Sequence, residues 1–367
     1  MIGQMESGPK YIRLKQAIID AAQAEQWPDG YRLPSENELV KTHEVSRSTV
    51  RQALEELERE GLLSRQRGRG TFFTPNGTAN IERHHLVGIS TTFSGFIYPA
   101  IVRGAEEALL ERGYNAVIGP NLLSDEMRRT VEDDNSQWRL DGLLFEPRVM
   151  RASAPGTRVL DRVKAIGIPY VMLNWTSDDP EVCFVAPDDI AAGETVGRYL
   201  VERGHRQMAF VGTKGHQPSL NRYKGFKRVL DQAGIELSDR NTVLLTDMKM
   251  EERSATTYEG TRLLLEDSKS LPLAIFYYND STAADGYHAI QDAGLRIPDD
   301  ISVISYDDSE LGRALIPRLT TMEHPKGELG RWAARILLDR IERPQARFSP
   351  QVKMRSTIID RDSVRTL

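Results

Sequence analysis

The chain has 367 residues, with 48 Lys and Arg against 53 Asp and Glu, 40% hydrophobic residues and a single cysteine, Cys183. That length allows two or three domains with cores of useful size, and the ordinary hydrophobic and charged fractions exclude long disorder and fibrous repeats. One cysteine excludes a disulfide framework and a cysteine-based zinc site; no apolar run nears the ~20 residues that span a bilayer, and Met1–Gly8 lacks the apolar stretch of a secretory signal, so a cytoplasmic protein is expected.

Residues 1–75 carry 11 Lys and Arg and 11 Asp and Glu, so the net charge of −5 belongs to the remainder. This neutral segment is polarised. Arg47, Arg51, Arg65, Arg67 and Arg69 lie close in sequence, apart from an acidic run of Glu55, Glu56, Glu58 and Glu60. Tyr11, Leu14, Ile18 and Ala21 recur at helical spacing, and Pro28-Asp29-Gly30 ends that helix. Ser35 is suited to cap a second, short helix with acids in its first turn. Ser46 can cap a third helix running to about Glu60, with Val50, Ala53, Leu54 and Leu57 as its inner face and Gly61 as its stop. Leu62–Arg65 and Thr71–Thr74 then flank Gln66-Arg67-Gly68-Arg69-Gly70, a hairpin with a glycine-rich tip.

Residues 76–84 are polar and turn-rich and form the linker. Beyond them, strand candidates 86–90, 116–119, 142–145, 170–173, 208–211, 243–245, 273–277 and 301–305 alternate with helical stretches 100–112, 191–203, 222–233 and 281–293. Repeated strand-then-helix order predicts a two-lobed, doubly wound α/β domain over 85–367, with parallel sheets and helices on both faces.

Two short helices joined by a tight turn, the second opening Arg-Ser-Thr-x-x-Arg, fit a helix-turn-helix. On a helical wheel Ser48, Arg51 and Gln52 point away from the apolar stripe, placing polar groups where base edges and phosphates can be met. The arginine-bearing hairpin would serve as a wing in a narrow minor groove. Pro9-Lys10-Tyr11, Arg32-Leu33-Pro34-Ser35-Glu36-x-Glu38-Leu39, Val45-Ser46-Arg47-x-Thr49-Val50-Arg51-x-Ala53-Leu54 and Gly68-Arg69-Gly70-Thr71-Phe72 resemble the winged-helix domain of GntR-type bacterial regulators. The resemblance covers residues 9–74. It implies operator DNA as a partner, dimeric binding, and contacts from Glu36, Arg47, Ser48, Thr49, Arg51, Arg67 and Gly68; Gln52 on the helix face, Arg69 in the wing, and Lys10 and Tyr11 at the start of the first helix complete the candidate DNA contacts.

The second part offers catalysis little. Neither glycine-rich phosphate loop follows its first strand, and no H-E-x-x-H or G-x-S-x-G occurs, so no enzyme, metal or cofactor is expected. Polar residues gather instead at the C-terminal ends of the strand candidates: Ser90, Glu146, Asn174 with Trp175, Asn279 with Asp280, and Asp307 with Asp308. Ligands of open parallel sheets collect at that edge. Carboxylates, amides and an arginine, with Phe96, Tyr98 and Trp175 as flat apolar faces, suit a sugar ring. Asp188 and Asp308 are better explained as helix caps or turn residues, while Trp175 and Phe96 suit lobe-edge core as well as they suit a ligand face. Arg222, read at the start of a helix where a cation opposes the dipole, calls for a carboxylate or ligand partner.

Gly167-Ile168-Pro169, Val201 to Arg206, Arg222-x-x-Gly225-Phe226, Asn279-Asp280, Gly294 to Val303, Tyr306-Asp307-Asp308 and Leu319-Thr320-Thr321 resemble the effector domain of LacI-type repressors, which has the fold of periplasmic sugar-binding proteins. That implies effector contacts from Arg222, Asn279 and Asp307, and lobe crossings near Pro187, Thr321 and Pro344. A GntR-type reader joined to such a sensor resembles the arabinose repressor subgroup, as do Thr91-Thr92-Phe93, Phe96-Ile97-Tyr98-Pro99, Asp141 to Pro147 and His324-Pro325-Lys326. The resemblance implies a repressor of carbohydrate-use genes controlled by a pentose such as L-arabinose, with Glu146 an extra contact. A purine, nucleoside or phosphosugar effector, and a transport-type sugar-binding role, are the alternatives.

Overall fold

The computed structural model describes residues 9–28, 30–59, 61–66, 69–73, 84–91, 95–120, 122, 139–147, 159–246, 250–267, 271–344 and 349–367. The chain divides into two compact units, Met1–His84 with Arg340–Arg347 and His85–Asp339 with Phe348–Leu367.

In the first unit, α1 (Lys10–Ala24), α2 (Glu36–His43) and α3 (Arg47–Arg59) precede an antiparallel hairpin of β1 (Leu63–Gln66) and β2 (Gly70–Phe73). The Ser35 side chain accepts from Glu38 N while the Glu38 carboxylate accepts from Ser35 N at 2.7 Å, a reciprocal cap that fixes the start of α2. Glu44, with φ of 51°, makes the left-handed turn into α3. Val50, Ala53, Leu54 and Leu57 are buried as their spacing predicts, against Leu14, Ile18, Leu39, Leu63 and Phe73. On α1 the stripe ends at buried Ala22, whereas Ala21 is only half-buried. Segment 31–33 runs beside β2, with Leu33 N donating to Thr71 O at 2.8 Å, and ties the hairpin to the helices.

The second unit holds two six-stranded sheets. The first contains β3 (Leu86–Ser90), β4 (Asn115–Ile118), β5 (Gly142–Phe145), β6 (Tyr170–Leu173), β7 (Phe184–Pro187) and β13 (Gln351–Met354), ordered β13-β7-β6-β5-β3-β4 with every pair parallel. The second contains β8 (Met208–Thr213), β9 (Thr242–Leu245), β10 (Leu273–Tyr277), β11 (Ile301–Asp307), β12 (Thr320–Glu323) and β14 (Ile358–Ile359), ordered β14-β12-β11-β10-β8-β9, with only β14 antiparallel. Central strands such as β5, β10 and β11 are buried at every residue, as a sheet covered on both faces requires.

The helices of this unit are α4 (Tyr98–Leu110), α5 (Val159–Ile166), α6 (Asp189–Glu202), α7 (Gln217–Gln232), α8 (Met250–Asp267), α9 (Asp280–Asp292), α10 (Glu310–Ala314) and α11 (Lys326–Glu342). The chain crosses between lobes at Asp188, at 324–325 and at 355–357. The third crossing falls beyond Pro344 because β13 first pairs with β7 in the first lobe, Val352 beside Val185. Close glycine packing holds a helix pair in each lobe: a Cβ on Gly104 of α4 would lie 2.0 Å from Gly327 O of α11, and one on Gly225 of α7 would lie 2.0 Å from Ile190 O of α6. No helix among the described residues is long and apolar enough to cross a membrane.

Candidate functional site

On the winged helix, Arg47, Ser48, Arg51 and Gln52 are exposed along one face of α3 and Thr49 is half-buried. Arg51 donates from Nε to Glu36 Oε2 at 3.0 Å, and Arg47 from Nη2 to Asn37 Oδ1 at 2.9 Å. The two arginines are thus splayed and held by α2 while remaining solvent-accessible. Ser46 Oγ accepts from Thr49 N at 3.2 Å and lies 2.8 Å from Ser48 Oγ and 2.7 Å from Thr49 Oγ1. This hydroxyl cluster caps the start of the helix that carries the two arginines. Lys10 is exposed and Tyr11 half-buried at the start of α1; Arg69 is exposed, and Arg67 and Gly68 lie outside the described residues. Arg65 pairs with Glu58 at 3.4 Å and so anchors the hairpin to α3.

In the second unit the strand ends build a polar site from both lobes. Arg222, 4% exposed, donates from Nε to Asp189 Oδ1 at 2.9 Å and from Nη1 to Tyr278 O at 2.6 Å, with its guanidinium carbon 3.5 Å above the Tyr306 ring. It does not open its helix. His216 caps α7 and Pro218 sits in the first turn, so the helix begins five residues earlier and Arg222 lies in its second turn. Burial pushes the Asp189 carboxyl up to about 6 despite the opposing pull of Arg222.

From the first lobe come Ser90 at the end of β3, Glu146 just beyond β5, and Asn174 and Trp175 beyond β6, all buried. Trp175 Nε1 donates to Glu146 Oε1 at 3.1 Å. The Trp175 ring meets His216 edge-on at 5.6 Å, and His216 meets Tyr278 at 5.6 Å, an aromatic row across the lobes. Beside it the Gln217 side chain accepts from Thr176 N at 3.0 Å and donates to Thr176 O at 3.1 Å. Asn174, Asp307 and Asp308 have φ of 61°, 129° and 48°, a concentration of backbone strain at one place that is typical of ligand sites.

Asp307 is buried, and burial, reinforced by neighbouring Asp280, pushes its carboxyl upward. Lys326 Nζ bonds to Asp307 O and, at 3.1 Å, to Asp308 O. Asp308 pairs with Arg313 and Arg361, and Asp188 accepts from Ala191 N at 3.2 Å, so both act as turn and cap residues.

One expected effector contact is engaged elsewhere, and a second also serves as a helix cap. Asp280 is fully buried, accepting from Ser305 Oγ, from Thr321 Oγ1 at 2.7 Å, and from Ser309 N and Oγ at 2.7 and 2.8 Å. Its lone pairs are filled, and it braces β11, β12 and α9 instead of facing a ligand. Asn279 caps α9, its Oδ1 accepting from Thr282 N at 3.0 Å, a bond in which its amide NH2 takes no part. Phe96 is 47% exposed, while Tyr98 is half-buried at the first turn of α4. Among the described residues, Ser90 Oγ, Thr213 Oγ1 and His324 Nδ1 are buried without a hydrogen-bond partner, at strand ends of both lobes and at a crossing.

Residues 10–73 match the model for bacterial regulatory proteins of the gntR family, and residues 198–364 that for a periplasmic binding protein-like domain. An arabinose metabolism transcriptional repressor of Halalkalibacterium halodurans is 34% identical over 317 residues, covering 85% of this chain and 84% of the relative. The chain belongs to the gntR family. Within that family it carries a periplasmic-binding-protein-like second part, and it is a DNA-binding repressor. A second arabinose metabolism transcriptional repressor, from Geobacillus stearothermophilus, is 31% identical over 361 residues, 98% of each chain. The solved structure of a LacI family transcriptional regulator from Enterococcus faecium with bound ribose is similar at a TM-score of 0.63 and 25% identity, over 77% of this chain and 99% of that one.

For this gntR-family repressor, sequence reasoning missed Asp189, His216, Gln217 and Lys326, which the structure brings against the strand-end groups. Asp189 had a signal, a second acid beside the expected cap Asp188. The others depend on where α7 begins and where the chain crosses between lobes, which no local pattern marks.

Proposed function

We propose that the chain represses pentose-use genes in the cytoplasm: residues 1–75 grip operator DNA as part of a homodimer, residues 76–84 form the linker, and residues 85–367 bind a neutral monosaccharide between their lobes. L-arabinose is the first candidate. The carrying observation is the set of strand-end groups from both lobes, Ser90, Glu146, Asn174, Trp175, Arg222, Asn279 and Asp307, beside which Ser90 Oγ, Thr213 Oγ1 and His324 Nδ1 are buried without a hydrogen-bond partner among the described residues. A sugar brings paired donors and acceptors to such atoms and apolar ring faces to Trp175, Phe96 and Tyr98. The names of the two arabinose repressors and the ribose of the Enterococcus faecium structure favour a pentose.

On the DNA side, Arg47 and Arg51 reach guanine or phosphate, and Ser48, Thr49 and Gln52 meet base edges. Lys10, Tyr11, Arg67, Gly68 and Arg69 follow the backbone, and Glu36 orients Arg51. A sugar that binds one lobe arrangement more tightly shifts DNA affinity by that difference in binding free energy. The test is a calorimetric panel of L-arabinose, D-ribose, D-xylose, ribose 5-phosphate and guanine on the full chain, followed by fluorescence anisotropy on a DNA fragment selected from a random pool. One neutral pentose is expected to bind and to change DNA affinity. Binding of guanine or ribose 5-phosphate alone would overturn the effector class, and unchanged DNA affinity would overturn the coupling.

A further inference from the structure

His324, at the second lobe crossing, is 2% exposed, and no motif reading gives it a role. Its Nε2 lies 3.0 Å from Asn174 Oδ1 in the first lobe. An amide oxygen only accepts, so Nε2 carries the proton and Nδ1 presents a bare lone pair. That Nδ1 is buried and has no partner among the described residues. Burial, reinforced by the nearby cations Arg222 and Lys326, holds the imidazole well below its ordinary pKa, so the ring is neutral. The ring packs edge-on against Tyr306 at 5.8 Å, and the Tyr306 ring also carries the Arg222 guanidinium. His324 therefore stands one ring away from the arginine of the effector site, joined to Asn174 on one side and with an unused acceptor on the other.

We infer that His324 is a specificity-determining effector contact, in which Nδ1 accepts a hydrogen bond from a hydroxyl of a neutral polyol while Asn174 fixes the tautomer. This rests on the sugar reading and deepens it. An acceptor lone pair satisfies a hydroxyl but not a phosphate or carboxylate oxygen, which has no proton to donate at neutral pH.

The experiment titrates L-arabinose, D-ribose, D-xylose and ribose 5-phosphate into the full chain as wild type, His324→Gln and His324→Leu. Folding is checked by circular dichroism. Gln keeps a donor for Asn174 and an acceptor for the ligand, and is expected to bind the preferred pentose within about threefold of wild type. Leu removes both and is expected to weaken it at least tenfold. If the Leu variant does not fold, histidine-selective 15N labelling of the wild type decides: addition of the pentose shifts the Nδ1 resonance of one buried, neutral histidine. Equal sugar affinity in wild type and folded Leu variant, or an unmoved Nδ1 resonance, overturns the His324 assignment while leaving the sugar reading intact. A wild type that binds ribose 5-phosphate and none of the three pentoses overturns both.

Discussion

Gly193 faces the carbonyl oxygen of Arg222 so closely that a Cβ at that glycine would lie 2.0 Å from it. Asp189, one helical turn earlier on α6, holds the same arginine from its Nε side at 2.9 Å. Two positions on α6 thus fix both backbone and guanidinium of Arg222. Gly193→Ala must push α7 away, because a backbone oxygen cannot rotate aside as a side chain can. The expected cost is about 1–3 kcal/mol of stability, read by urea denaturation. Loss of pentose affinity is expected in calorimetry under conditions where the variant remains folded. Unchanged stability would mean that the two helices part more easily than their glycine packing implies.

Arg222→Ala leaves Asp189 buried opposite nothing. Breaking one side of a buried pair costs about 3–5 kcal/mol, more than deletion of an exposed ion pair such as Lys227 with Asp231. In a thermal-shift assay, one pentose should raise the midpoint of wild type and leave this variant unmoved. At a hundredfold excess over Kd the wild-type gain is about 2.7 kcal/mol. Equal shifts in both proteins would remove Arg222 from the effector site.

Asp189 also sets a pH dependence. Its folded carboxyl, pushed up to about 6 by burial, lies above its unfolded value of 3.8, so the folded state takes up the proton first. Its stabilising contribution is full below about 4 and is lost as the pH rises through about 6. The unfolding free energy of wild type minus that of Asp189→Asn should therefore fall between about pH 4 and pH 6 and be flat above. A difference that rises across this window would reverse the sign of the Asp189 shift.

Much of this arrangement is legible in the sequence, for reasons that vary by element. Strands β5 and β10 fall where the apolar runs put them, because a strand covered on both faces is apolar throughout. Strand β13, at a sheet edge, alternates exposed and half-buried residues and reads as polar loop, which is why the third crossing falls later than expected. The helix predicted over 222–233 begins five residues earlier, with Pro218 in the first turn where a proline is tolerated, and this places Arg222 in the second turn of α7. Strand-end polarity picks out Glu146, Asn174 and Asp307, which the structure buries at or just beyond strand ends. It could not tell Asp280, whose lone pairs are filled, from a ligand group, since that depends on Ser305, Ser309 and Thr321 arriving from other segments.

The capping box of α2 supports the reader indirectly. Ser35→Ala removes the acceptor for Glu38 N and loosens the turn that carries Glu36 and Asn37, the partners of Arg51 and Arg47. A loss of about 1 kcal/mol is expected in the thermal unfolding of the full chain, with weaker DNA binding alongside. Intact stability would show that Glu38 and water satisfy the helix start without the serine.

Arg51 is the sharper test of the DNA-reading face. Its side chain is 62% exposed and its only described ion pair is the one with Glu36, a surface pair worth less than about 1 kcal/mol. Arg51→Ala should therefore leave folding nearly untouched. If Arg51 meets a guanine, operator binding weakens by about 1–3 kcal/mol and discrimination relaxes at a single base position; if it meets a phosphate, binding weakens uniformly and the salt dependence falls by about one counterion. Anisotropy on the selected fragment and on single-base variants, at two salt concentrations, separates these outcomes. Wild-type affinity throughout would take Arg51 off the interface and move the reading role toward Arg47 and Gln52.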